Sequence, residues 1–123
     1  MRLSTFQKNY SLHDSPINDL RYFPEQGKLI LEVDVCNDGQ WSGAEAKSDP
    51  FPLTLIFTGV PQYSMNPDVL DFENDEINTE RLLPSERPEK EVIEFVLFTI
   101  SSQRIDDVKF LRIEAEDVYW TFS

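Results

Sequence analysis

The chain has 123 residues, 40% of them hydrophobic and 12% aromatic, so it can bury a core of its own and is too apolar for a disordered chain. Its 23 acidic and 11 basic residues give a net charge of −12, which repels nucleic acids and anionic membrane surfaces and attracts basic proteins. We therefore expect a single domain over residues 1–123 that binds neither nucleic acid nor membrane.

Cysteine usage and hydropathy predict where such a protein resides. The one cysteine, Cys36, permits no internal disulfide and no cysteine metal cluster, and its place in a strand-like run predicts a buried, apolar role. Residues 1–15 lack the apolar stretch of a signal peptide, and no segment has the roughly 20 apolar residues of a membrane span. These features predict a cytoplasmic protein.

A short helix and a hairpin are the first predicted elements. Leu3, Phe6 and Tyr10 are spaced as on one face of a helix, with Ser4 as its predicted cap. Residues 17–36 alternate between apolar and polar side chains around the turn-forming sequence Pro-Glu-Gln-Gly. This pattern predicts a β-hairpin with a four-residue loop.

Just before the hairpin, His13, Asp14 and Ser15 are the residue types of a hydrolase triad. Consecutive residues of an extended chain point to alternate faces, so these three cannot converge into a proton relay. Asp and Ser side chains before a proline bond nearby backbone groups at turns. We therefore predict a structural turn here and no catalytic residue.

The polar, glycine-containing residues 37–50 carry Trp41. An aromatic side chain on a polar loop is a candidate interface anchor, because Trp is enriched in binding hot spots. Packing of Trp41 back onto the sheet is an equal alternative. The next predicted strand covers residues 51–60, where Pro52 can occupy only a strand start or a sheet edge.

Residues 61–90 leave the secondary structure open. Residues 69–74 fit a short strand, and residues 77–83 fit either a strand or a helical turn. Pattern alone does not decide between these alternatives.

The same region holds much of the negative charge, with ten acids against three bases over residues 68–94. Asp71, Glu73, Asp75 and Glu76 resemble a carboxylate cluster for a hard cation, but the glycine of a calcium loop is missing. We predict no metal and no cofactor here. We expect these four residues to contact a basic protein partner, with a passive, solubilising surface as the alternative.

The last third of the chain predicts further strands. Residues 91–100 are apolar on both faces, which is typical of a strand at the centre of a sheet or inside a sandwich. The alternation over residues 111–122 slips by one residue, as a β-bulge at Glu116 and Asp117 would cause. The chain is therefore predicted to be mostly β, an antiparallel sandwich or barrel-like sheet with at most one or two short helices.

Several segments resemble one protein family. Leu12-His-Asp-Ser-Pro-Ile17 and the following Leu29-Ile-Leu-Glu-Val33 resemble the opening of small bacterial immunity proteins of the immunity protein 50 group. Leu55-Ile-Phe57 and the ending Leu111-Arg-Ile-Glu-Ala115 with Val118-Tyr-Trp120 are similar to the same outline, which residues 61–90 do not match. The resemblance implies a non-enzymatic protein that binds and neutralises a toxin of the same bacterium.

Three functions are compatible with the sequence. The first is a cytoplasmic interaction domain whose acidic surface binds a basic, toxin-like protein. The second is a β-sandwich that binds a small ligand in an apolar concavity lined by aromatic residues. The third is a carboxylate-based enzyme, which requires two buried acids with raised pKa values in one cleft. The oligomeric state stays open.

Overall fold

The computed structural model describes all 123 residues and contains one α-helix and eight strands. The helix α1 spans Leu3–Asn9. The strands are β1 (Ser15–Phe23), β2 (Lys28–Val35), β3 (Phe51–Thr58), β4 (Tyr63–Asn66), β5 (Asp75–Leu83), β6 (Glu91–Ser101), β7 (Arg104–Ala115) and β8 (Asp117–Phe122). The prediction of a mostly β, antiparallel fold with a short helix is confirmed. With seven residues in its α-helix, the protein has no helix that could cross a bilayer.

All eight strands belong to one open antiparallel sheet, in the order β4-β7-β6-β5-β1-β2-β3-β8. Strands β1 and β5 meet only where Ser15 and Pro16 pair with Ile77 and Glu76. This narrow junction divides the sheet into a β6 half (β4, β7, β6, β5) and a β2 half (β1, β2, β3, β8). Core side chains of the two halves meet, as in the edge-on contact of the Phe57 and Phe95 rings, whose centroids are 6.4 Å apart.

Alternation along the strands decides which side chains enter this core. Every second residue of β2, from Leu29 to Val35, is buried, and each is in register with a buried residue of β3 from Phe51 to Phe57. Burial of each large apolar side chain contributes roughly 1.5–3 kcal/mol to folding. The buried hydrophobic side chains of both halves form one cluster of 23 residues, to which α1 adds two.

Cys36 is exposed, so the prediction that it is buried is wrong. Strand β2 ends at Val35, whose side chain faces the core. Because successive side chains point to opposite sides, the next residue along the chain turns towards solvent.

The predicted single last strand is two strands, and the β-bulge at Glu116 and Asp117 is wrong. Strand β7 pairs with β6 and β4, whereas β8 pairs with β3 in the other half. Glu116 is the corner where the chain passes between the halves, and its N–H donates to Thr58 O at 2.9 Å. Gly59 makes room for this corner, because a Cβ there would lie 2.5 Å from the Glu116 carboxylate.

The helix is held by a residue far away in the sequence. The predicted cap, Ser4, lies inside α1, and the capping position is Arg2, which makes no side-chain cap. Instead, Glu91 Oε1 at the start of β6 accepts from the Ser4 N–H and from Arg2 Nε, both at 3.1 Å. A sheet residue thus satisfies a free N–H of the first helical turn.

Residues 61–90, whose secondary structure the sequence leaves open, contain two strands and two turns. Residues 77–83 lie within β5, so the strand alternative is confirmed there. Residues 72–74 form a turn, and no strand covers residues 69–74.

Candidate functional site

The outer face of the β6 half carries paired apolar side chains that stay open to solvent. Directly opposite residues of an antiparallel pair share a face. On this face Val96 lies opposite Phe110, Phe98 opposite Val108, and Ile100 opposite Ile105. We call these six residues the apolar ladder.

Core packing does not explain the ladder. The core side of β6 is supplied by Ile93, Phe95 and Leu97, which are fully buried. The ladder faces the other way, and Ile105, Val108 and Phe110 are exposed by 54%, 40% and 36%. A strand that is apolar on both faces is normally covered on both, and an uncovered apolar patch on a soluble domain marks a contact surface.

Negative charge is concentrated at the hairpin end of the β6 half, on both sides of the sheet. Glu76 pairs with Phe98 across β5 and β6. Burial raises the pKa of the Glu76 carboxyl group, and the nearby charge of Asp14 raises it further. The turn that carries Asp71 and Glu73 joins β6 through the Ile100 N–H, which donates to Asn74 O at 2.9 Å. We call the six carboxylates at this end the acidic rim: Asp14, Asp71, Glu73, Glu76, Asp106 and Asp107.

An arginine row borders the other end of the ladder. Arg81, Glu94 and Arg112 lie opposite one another on β5, β6 and β7. The Nε atoms of both arginines donate to Glu94 at 2.6 Å, and the glutamate is fully covered while the arginines are more than half exposed. Burial alone would raise the pKa of Glu94, but the hydrogen bonds from Arg112 and Arg81 lower it, so this carboxylate is ionised at neutral pH.

Asp75 differs from the exposed position that the sequence analysis expected for it. Its side chain is fully buried and accepts from Lys109 Nζ at 2.8 Å, from the Asp71 N–H at 2.8 Å and from Thr99 Oγ1. Lys109 Nζ also donates to Val69 O at 2.9 Å. Asp75 therefore anchors the acidic turn to the sheet, and it offers no surface to a partner.

Trp41 is also buried, so its side chain is not available as an interface anchor. It is 1% exposed, and its ring stacks on Tyr10 at 4.8 Å between ring centroids and meets Trp120 edge-on at 5.4 Å. The polar loop folds back over the sheet, which was the second alternative. Of the five residues expected at a partner surface, Asp71, Glu73 and Glu76 belong to the acidic rim. Glu76 lies beside the ladder, and Asp75 holds the turn that carries Asp71 and Glu73 from the core face.

His13 and Asp14 form a turn before β1, and Ser15 is the first residue of that strand. Both side chains at the turn are exposed, with His13 Nε2 3.3 Å from the Asp14 carboxylate, whereas Ser15 is buried. The backbone oxygen of Asn78 bonded to His13 Nδ1, together with the Asp14 charge, raises the pKa of His13. The three side chains do not converge.

A polar cleft of about 420 Å³ lies beside the end of α1 and includes His13, Gln40, Asn78 and Glu80. Burial raises the pKa of Glu80, and the hydrogen bond from the Leu12 N–H opposes that shift. Glu80 is the one carboxylate that lines the cleft. A mechanism based on two carboxylates would need a second acid there. No group of three or more His, Cys, Asp or Glu side chains is arranged to hold a metal ion.

An apolar depression of about 220 Å³ lies between β1, β4 and β7, with Leu20, Met65 and Leu111 among its lining residues. Small-molecule pockets usually measure roughly 300–1,000 Å³. The aromatic residues around Trp41, which a ligand site would use, pack against one another instead.

Sequence reasoning missed the apolar ladder and the arginine row as parts of a site. The two-faced apolar pattern of residues 91–100 was the available signal, but it was interpreted as a doubly covered strand. Which face stays uncovered depends on the packing of the whole sheet. No protein-family model, curated protein or solved structure matches this chain.

Proposed function

We propose that this protein is a non-enzymatic interaction domain that binds a basic protein through the outer face of the β6 half. The observation that carries the proposal is the apolar ladder, an uncovered row of cross-strand pairs in a protein with a net charge of −12. An apolar centre with a charged rim is the common anatomy of protein interfaces.

The acidic rim specifies the chemistry of the partner. Its carboxylates Asp71, Glu73 and Glu76 favour lysine and arginine side chains and speed the encounter with a basic surface. The ladder then supplies the apolar area that holds the complex together. The partner we expect presents apolar side chains surrounded by basic ones.

The resemblance to the immunity protein 50 group extends this proposal to the biological role. A partner of this kind would be a toxin of the same bacterium, which this protein neutralises by covering its surface. A cytoplasmic location is part of the proposal, since one exposed, unpaired cysteine suits a reducing compartment.

Affinity capture from a lysate of the source organism tests the proposal. The wild-type bait is compared with a rim variant, Asp71→Asn/Glu73→Gln/Glu76→Gln. A control variant, Glu25→Gln/Glu45→Gln/Asp117→Asn, removes three charges outside the rim. We expect one basic protein on the wild-type and control baits, reduced at least about tenfold on the rim variant. Equal capture by all three baits, or no capture at low salt, contradicts the proposal.

A growth assay then tests the toxin-neutralising role. The captured protein is expressed alone and together with this chain. We expect growth arrest in the first case and normal growth in the second, with arrest restored by the rim variant. A captured protein without effect on growth would contradict the immunity role and leave the interaction surface in place.

A further inference from the structure

The outer face of the β6 half carries opposite charges at its two ends. Cross-strand pairing places its side chains in three neighbouring rows: Glu76–Phe98–Val108, Thr79–Val96–Phe110 and Arg81–Glu94–Arg112. The first row is acidic, the middle row is uncharged, and the third has two arginines against one glutamate. One end of this face is therefore negative and the other end positive along the strand direction, with the apolar ladder between them.

The two arginines of the third row have unused hydrogen-bond donors. Each guanidinium uses only its Nε on Glu94 and makes no other hydrogen bond. Both side chains are more than half exposed, so their terminal nitrogens face solvent. Elsewhere on the protein positive charge is scarce, because most lysines and arginines pair with acids of their own surroundings.

We propose that, in the absence of its partner, this face is covered by a second copy of the chain, related by a two-fold axis along the middle row. The inference rests on the proposed function, because it assigns a regulation to the same face. Rotation by 180° about this axis reverses the strand direction and keeps β5 over β5. It places Arg81 of each copy over Glu76 of the other, so two ion pairs form at once.

The remaining contacts of this arrangement are also favourable. The middle row meets itself, so Val96 and Phe110 pack against the same residues of the second copy. Phe98 lies over Glu94 of the second copy, between Arg81 and Arg112, and guanidinium groups stack well on aromatic rings. Closed two-fold dimers that use one patch on both subunits are the commonest protein oligomers. The arginine row therefore takes the place of the basic partner at the acidic rim.

The size of the face predicts a weak and reversible dimer. Four strands about 4.8 Å wide and three rows about 7 Å wide give a patch of roughly 19 by 21 Å. Stable complexes usually bury about 800 Å² on each partner, more than this patch provides. We expect a dissociation constant of roughly micromolar order, which lets a tighter-binding partner displace the second copy.

Sedimentation velocity of the full chain between about 1 and 200 μM, the range suited to a weak interface, is the first test. We expect the wild type to shift from monomer to dimer across this range. Phe110→Asp places two carboxylates at the axis and should weaken association at least about tenfold. The control is Tyr119→Asp, which adds the same charge at a similarly exposed aromatic residue of β8 and should leave association unchanged.

A charge exchange tests the predicted contacts directly. Glu76→Arg alone, and Arg81→Glu combined with Glu94→Gln to avoid facing carboxylates, should each stay monomeric. When the two variants are mixed, both contacts become attractive, and a heterodimer should form with about the wild-type affinity. Circular dichroism of each variant establishes that it is folded.

A wild type that remains monomeric at the highest concentration overturns self-association, as does a mixture that forms no heterodimer although both variants fold. Neither outcome touches the proposed function, which depends on partner capture by the wild-type and rim-variant baits. Conversely, a dimer without partner capture would support self-association and contradict the interaction with a basic protein.

Discussion

At the scale of single residues, the buried pair Asp75–Lys109 positions acidic side chains that lie at the surface. Lys109 Nζ lies 2.8 Å from the carboxylate, and both side chains are almost fully buried. The Asp75 carboxylate also accepts a hydrogen bond from the Asp71 N–H, and Lys109 Nζ donates one to Val69 O. One buried ion pair therefore positions the turn that carries part of the acidic rim.

Removal of either partner should cost far more stability than loss of a surface pair. We expect Lys109→Met to lower the free energy of unfolding by about 3–5 kcal/mol, because Asp75 is left buried and uncompensated. Arg104→Met breaks the exposed pair with Asp106 and should cost less than about 1 kcal/mol. Urea unfolding measures both. Similar small losses would show that the buried pair does not anchor this end of the sheet.

Glu80 gives the protein a stability that depends on pH. Because burial raises its folded-state pKa above the usual 4.5, ionised Glu80 destabilises the fold at neutral pH. Glu80→Gln keeps an acceptor for the Leu12 N–H and should raise the Tm by about 1–3 °C at pH 7. The difference should disappear as the pH falls below 4.5, where both folded and unfolded Glu80 are protonated. Thermal melts at pH 7 and pH 4 test this, and a destabilised variant at pH 7 contradicts it.

At the scale of elements, α1 depends on Glu91 rather than on a cap of its own. Burial alone would raise the pKa of Glu91, but hydrogen bonds from Ser4 and Arg2 lower it. The stability that ionised Glu91 contributes to the fold is therefore present above pH 4.5 and is lost as the pH falls through the lower folded-state pKa. We expect Glu91→Ala to cost about 1 kcal/mol at neutral pH, as cap removal does.

Ser4→Ala is the matched comparison for this prediction. The Ser4 side chain makes no cap, so its removal should change the free energy of unfolding by less than about 0.5 kcal/mol. Urea unfolding at pH 7 and pH 3 should show a loss for Glu91→Ala that shrinks at the lower pH. A larger effect of Ser4→Ala at pH 7 would contradict this account of the helix.

Sequence patterns predict elements well where local geometry decides them. The hairpin of β1 and β2 follows from alternation around a turn, and β3 follows in the same way. The corner at Glu116 could not be distinguished from a bulge, because both shift the alternation by one residue. The turn at residues 72–74 depends on Asp75 and Lys109, whose contact joins distant parts of the chain.

The candidate site shows the same division. Charge density along residues 68–94 points to the acidic rim, and three of the expected contact residues lie there. Asp75 and Trp41 could not be placed, because their burial follows from tertiary packing. The two apolar faces of β6 are visible in the sequence, but only the assembled sheet leaves one of them uncovered.

At the scale of the whole molecule, little of the positive charge is unpaired, because most basic side chains lie beside acids. Of the 11 lysines and arginines, the eight at positions 2, 21, 81, 87, 90, 104, 109 and 112 lie in ion pairs. The 23 acids leave a strong negative field, and the apolar ladder is framed by it on one side. A basic, apolar surface is the complement of this arrangement.

The most direct test of this account is a methyl NMR titration of the protein with the partner captured by the wild-type bait. We predict shifted or broadened signals for Val96, Val108 and Ile105 on the apolar ladder. The signals of Ile30 and Ile56, which pair on the outer face of the β2 half, should stay unchanged. Perturbation of Ile30 and Ile56 with an unchanged ladder would place the interaction on the opposite face and contradict the central claim.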